Sequence, residues 1–226
     1  NAIVPVRIPT NIRVVRQDGV TIDYISLQTY CQRSLPSEWI ASWGNTGPGN
    51  SGTNSLLAGA VAIRTYAIGF VNNPASVTYD ICGTTACQAY INTASDSRTT
   101  AAVNATANFV MIQPGATRIG YKITEYSAEN NSLGFSCGDG FTQPNSGCIA
   151  DPVCAGETRF GHGRGMCQWG TARWASGRRM QGRVTGDSVT NGLPLQNWVW
   201  LCEHYYPDLQ LVQGSPLTTN DYVQVQ

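Results

Sequence analysis

The sequence predicts an α+β fold with a β-rich core, flanking helices and disulfide staples. Three observations predict it. Short runs rich in β-branched residues open the chain and recur through its middle. Longer apolar runs with helical spacing alternate with them. Eight cysteines sit at positions 31, 82, 87, 137, 148, 154, 167 and 202. With 226 residues the chain can bury a real core, and residues 1–226 are read as a single domain.

Residues 1–25 read as strands, with "NIRVVRQ" and "VTIDYI" forming a hairpin across the Asp18-Gly19 turn. "LQTYCQRS" (27–34) reads as a short helix that stops before Pro36. Pro36 suits the first turn of a new helix, which puts Glu38 in that turn. "GNTGPGNSGT" (44–53) reads as a loop, and Thr53 or Asn54 caps the long helix that runs to Asn72-Asn73-Pro74. On that helix Leu57, Val61, Ile68 and Val71 share a face with Arg64. An arginine there either snorkels at the core edge or holds a carboxylate or carbonyl near a cleft. Beyond Val77, "SVTYDI", "CQAYI", "FVMIQ" and "RIGYKITEYSA" read as strands, with a helix in "TTAAVNATA" (99–107). "CQWGTARWASGR" (167–178) and "LQNWVWLCEHYY" (195–206) read as the last two helices, stopped by Gly177 and Pro207.

Composition narrows the function classes. Charged residues are only 12% of the chain, and 14 basic residues balance 14 acidic ones, so nucleic acid is not an expected partner. Lys122 is the only lysine. No apolar run is read as a membrane span; the best candidate, residues 55–71, contains Arg64. The polar Asn1 suits a mature form whose leader has been removed, and the low lysine content with an even cysteine count suits an oxidising, extracellular or cell-envelope setting. No CxxC pair occurs, so disulfides are expected rather than zinc. Cys82–Cys87 is the most local pair and Cys137–Cys148 the next; spacing does not pair Cys31, Cys154, Cys167 and Cys202.

Five motifs occur in order: "LPSEWIASW" (35–43), "LLAGAVAIRTYAI" (56–68), "YDICGTTACQAY" (79–90), "GHGRGMCQWGTARWA" (161–175) and "HYYPDLQL" (204–211). In order and spacing they resemble the SpoIID/LytB family, the stage II sporulation protein D and amidase-enhancer proteins. The resemblance divides the chain into N-terminal strands (1–25), a family-like region (26–211) and a C-terminal extension (212–226). It implies a SpoIID-like fold and peptidoglycan glycan strands, stripped of stem peptides, as the partner. Sporulation members are lytic transglycosylases; others act as enhancers of another wall enzyme. The resemblance assigns Glu38 as the catalytic carboxyl and puts "GHGRGM" along the same groove. Trp39-Ile40 stands where the family usually has Met-Pro, and Ala86 stands where one zinc-bearing member has a histidine, so no metal ligand and no cofactor is carried over.

A lytic transglycosylase needs one carboxyl. It protonates the glycosidic oxygen, then takes the proton of the sugar's own C6 hydroxyl as an anhydro ring closes. Ordinary glycoside hydrolysis needs two carboxylates. An acid working near neutral pH needs a raised pKa, and Pro36, Trp39, Ile40 and Trp43 supply apolar neighbours to Glu38. The competing reading makes Glu38 a helix-N-terminal carboxylate stabilised by the dipole. His162, Gly163, Gly165, Gln168, Arg64 and Tyr66 are the candidate substrate-binding residues. The glycines let backbone approach a ligand, and the histidine and glutamine offer hydrogen bonds. Tyr66, Tyr90, Trp169 and Trp174 are candidate sugar platforms or core residues. Two other classes compete: a Cys167–His162 nucleophile pair, and a non-catalytic glycan-binding or structural surface protein. Sequons at Asn104 and Asn130 allow glycosylation. An open groove beside His162 favours the enzyme; a Glu38 locked in an ion pair favours the scaffold.

Overall fold

The computed structural model describes residues 6–130 and 151–216. Cys137 and Cys148 therefore lie outside the described residues, as do most of the opening "AIVPV" and of the C-terminal extension. The class is mixed α+β, but the centre is helical rather than β-rich. Helix α2 (Thr53–Asn72) is buried along nearly its whole length, with Ser55, Leu56 and Ala58 through Phe70 all inside. It packs against α1 (Leu27–Glu38), α3 (Ser97–Ala105), α4 (Gln168–Ser176) and α5 (Trp198–Tyr205). Its length and composition would allow it to cross a membrane; here it is the core helix.

The strands are short and dispersed around α2. Strands β2 (Asn11–Val15) and β3 (Ile22–Ser26) form the expected hairpin, pairing Asn11 with Ser26 and Val15 with Ile22. β4 (Ile81–Cys82) extends that sheet in parallel on β2. β1 (Arg7–Ile8) instead pairs with β9 (Ser215–Pro216). β5 (Phe109–Ile112) pairs with β8 (Gln210–Gln213), and β6 (Tyr126–Ser127) with β7 (Met166–Cys167). Of the segments 87–91 and 118–128, read as strands, only Tyr126–Ser127 pairs in a ladder among the described residues. Strand composition becomes a strand only where a neighbouring edge accepts its hydrogen bonds.

Helix α1 corrects the reading around Pro36. Ser26 caps its start, accepting from Thr29 N–H, and the helix continues through Pro36 to Glu38. The buried stripe Leu27, Tyr30, Cys31, Ser34 and Leu35 anchors it up to the proline, and Trp39, 2% exposed, packs just beyond it. Glu38 is thus its last residue, not the first turn of a new helix. Two short 3-10 turns, Ala41–Asn45 and Pro48–Asn50, lie between α1 and α2, partly in the segment 44–53 read as a loop. Asn104 is exposed on α3, whereas Asn130 is 2% exposed and donates to the Gly165 carbonyl, so its sequon is closed in this fold.

Candidate functional site

Glu38 is placed by its neighbour. The Trp39 indole lies flat on α2 at Gly59, where an added Cβ would come within 2.7 Å of the ring. No larger residue fits there without moving the indole. Trp39 also packs against Tyr126, with ring centroids 5.0 Å apart. The turn after α1 is therefore pinned, and Glu38 faces a cleft of about 440 Å³. That is a ligand-sized volume. Tyr66, Tyr126, His162 and Gln168 line it, with Glu125, Arg164 and Phe160. Thr85, Ala86 and Cys87 form another wall, closed into a tight loop by the Cys82–Cys87 disulfide. Both sulfurs are thereby consumed, so neither is a thiolate ligand.

The surroundings of Glu38 decide its chemistry. The Ala89 N–H donates to Oε1. Gln168 donates through Nε2 to the Glu38 carbonyl oxygen at 2.9 Å. A buried chain reaches the carboxyl from behind: Tyr30 O–H donates to Gln88 Oε1 at 2.8 Å, and Gln88 Nε2 donates to the Tyr126 hydroxyl at 2.9 Å. Since the Tyr126 oxygen accepts from Gln88, its proton is left for Glu38, with which its side chain hydrogen-bonds. Burial outweighs these contacts and pushes the Glu38 pKa up to about 7. The position at a helix C-terminus works in the same direction, opposite to the N-terminal reading. Among the described residues no cation pairs with Glu38. The other cleft carboxylate, Glu125, is held by Arg164, with Nε to Oε2 at 3.0 Å and Nη2 to Oε1 at 3.1 Å.

This raised pKa has a stability consequence. Between an unfolded pKa near 4.5 and a folded one of about 7, the folded state holds a proton that the unfolded chain has released. Stability contributed by Glu38 is then full below the lower value and falls as pH rises through the upper one. The loss amounts to roughly 3 kcal/mol. Glu38→Gln cannot ionise. Its stability relative to wild type is expected to rise by about that amount between pH 4 and pH 8, measured by urea denaturation. A constant difference across that range would rule out the raised pKa.

The other predicted site residues divide. Tyr66, His162 and Gln168 share the cleft with Glu38. His162 Nδ1 accepts from the Arg164 N–H at 3.0 Å, so a neutral ring carries its proton on Nε2, a donor. Gly163 and Gly165 do not line the cleft; they shape the turn beneath it. Gly165 has φ of +66°, and a Cβ there would meet the Glu125 carbonyl oxygen at 1.9 Å, so the close approach is to the protein's own backbone. Arg64 lies elsewhere. It is 2% exposed and donates to the carbonyls of Val103 and Phe109, both at 3.0 Å, capping the end of α3. It holds carbonyls, as one of its two readings has it, but not near the cleft. Tyr90, Trp169 and Trp174 are core residues, each under 8% exposed. Cys167 is buried and accepts from Gly170 N–H at the start of α4, not from an imidazole, which removes the Cys–His nucleophile.

Several cleft residues escaped the sequence reading, among them Glu125, Tyr126, Arg164 and Phe160. Phe160 is 58% exposed at the rim, with the Arg183 guanidinium 4.7 Å from its ring centroid. Its backbone is bridged both ways to Glu129, at 3.0 and 2.9 Å, so the ring stands on a fixed base. The available signal was its place directly before the glycine run.

With this geometry in place the comparison with known families becomes informative. Residues 16–112 match the family model of the stage II sporulation protein, SpoIID. This stretch is a SpoIID region. It carries Glu38, Tyr66 and the Cys82–Cys87 loop; His162 and Gln168 come from beyond it and complete the cleft from the other side. A search of curated proteins finds no match to the chain.

Proposed function

We propose that the protein binds peptidoglycan glycan strands in this cleft and cleaves them without water, leaving 1,6-anhydro ends. The SpoIID region points to a sporulation- or cell-wall-related role. The observation that carries the finer reading is Glu38: a cleft carboxyl without a cationic partner among the described residues, pushed up to about 7. Near neutral pH such a group is protonated in a large fraction of molecules and can also give up its proton, as one group serving in turn as acid and base must. Glu38 protonates the glycosidic oxygen as the C1–O bond breaks. Its carboxylate then takes the C6 hydroxyl proton while O6 bonds to C1. Glu125, fixed by Arg164, is poorly placed to activate water as a second carboxylate, which favours the intramolecular route. His162, on the cleft wall, contacts a sugar hydroxyl or N-acetyl oxygen in this reading. In this reading the fold is SpoIID-like, the location secreted or in the cell envelope, and the enhancer variant takes another wall enzyme or surface assembly as its associate.

The test is digestion of peptide-free glycan strands followed by mass analysis of the ends. Anhydro ends support the proposal; reducing ends mean hydrolysis and sink the single-carboxyl route. Binding without any cleavage leaves the non-catalytic glycan-binding reading. Phe160→Ala is expected to weaken glycan binding about 3- to 10-fold, the worth of one aromatic face, with the catalytic rate of the bound complex little changed. Unaltered affinity by calorimetry would remove Phe160 from the binding surface.

A further inference from the structure

We infer that Cys154 and Cys167 form a second disulfide, which clamps the loop carrying His162 to the 3-10 turn Pro152–Cys154. Their Sγ atoms already lie 3.6 Å apart, 13 residues from one another in the chain, and both side chains are fully buried. A covalent S–S bond of about 2.05 Å needs only a small further approach of the two sulfurs. Cys167 is held in place for it, accepting from Asn130 N–H at 3.2 Å and from Gly170 N–H at 3.1 Å.

A metal is the competing occupant, because Glu129, Cys154 and Cys167 present ligand atoms within 4.8 Å of one another. The chemistry around them opposes it. Both Glu129 oxygens already accept from Arg173, at 2.6 and 2.8 Å, and Arg173 Nη1 lies 3.6 Å from Cys154 Sγ. A dication would sit beside a fixed guanidinium, with three candidate ligands where zinc takes four. Oxidation adds no charge to this crowded pocket.

The step balances by exchange with a small disulfide or a dithiol oxidase. The two thiols lose two protons and two electrons as the S–S bond forms, and the oxidant's disulfide is reduced to two thiols. Attack proceeds through a mixed disulfide on one cysteine, which the other resolves. Because both sulfurs are buried in the folded protein, the exchange belongs to folding, before the pocket closes. The bond bears on the cleft through the chain itself. Cys167 directly precedes Gln168, whose amide holds the Glu38 carbonyl, and follows the turn that presents His162.

The experiment is peptide mapping of the wild-type chain folded in a buffer of reduced and oxidised glutathione. Thiols are blocked with iodoacetamide in denaturant without reductant, and the digest is analysed by mass spectrometry. The expected product is a linked pair of peptides containing Cys154 and Cys167, two hydrogens lighter than their sum, with the closed Cys82–Cys87 loop as internal control. In Cys154→Ser, Cys167 should become fully alkylated. Alkylation of both cysteines in wild type, with Cys82–Cys87 closed, overturns the inference. So does a bond from either to Cys137 or Cys148, or an equivalent of zinc retained by the folded protein.

Discussion

Glu38→Gln is expected to lower glycan cleavage by about 100- to 10,000-fold, the usual contribution of a general acid–base group. The amide keeps the shape of the carboxyl. Its oxygen can still accept from Ala89 N–H, and the Gln168 amide still holds the main-chain carbonyl of residue 38, so the turn after α1 keeps its support. What disappears is the proton transfer: an amide neither protonates a glycosidic oxygen nor takes the proton of a C6 hydroxyl. Glycan affinity should therefore hold while turnover falls. The wild-type rate should also decline as pH rises above about 7, where the acid form is lost. His162→Ala should reduce activity less, since it removes a positioning contact and not the proton donor. Undiminished turnover in Glu38→Gln would remove the named catalyst, whatever the family resemblance implies.

Arg173→Met is expected to destabilise the fold by about 3–5 kcal/mol. The Arg173 and Glu129 side chains are both completely buried, and the guanidinium grips both carboxylate oxygens. It also donates to the carbonyls of Arg179 and Met180, each at 3.1 Å. Methionine fills much of the volume but strands a charged carboxylate out of water, together with two carbonyls. For a chain of this size the loss corresponds to a fall in Tm of roughly 6–20 °C. Adding Glu129→Gln to Arg173→Met should recover part of it, because the stranded charge is then gone. A single-variant loss under about 1 kcal/mol would show that water reaches the pair, and that it is not the buried tie between α4 and the segment before the cleft.

Local chemistry made several features legible. The β2–β3 hairpin follows from Asp18-Gly19 between β-branched runs, α4 stops at Gly177 in the left-handed conformation, and five residues of separation announced the Cys82–Cys87 bridge. The misreadings share one cause. Pro36 signals a helix boundary by its own geometry, yet α1 runs through it because buried Leu35 before it and buried Trp39 after it are held by tertiary packing. Segments 87–91 and 118–125 have strand composition without an available edge. Arg64 looks the same in sequence whether its partner is a substrate or the end of α3.

By itself the sequence determined the chemistry at hand: one carboxyl among apolar neighbours, a glycine-framed histidine, few charges and many cysteines. The ordered motifs tied these to a family, and the match over residues 16–112 agrees for the stretch that carries Glu38. Only the tertiary structure decided which groups meet. Glu38 and His162 are far apart along the chain, and they share a cleft because α2 is buried on all sides and the segments bearing them pack around it. The pKa of Glu38 was likewise beyond the sequence. It depends on how much water the folded chain removes from one carboxyl, and on whether a cation stands within reach, and both are properties of packing in three dimensions.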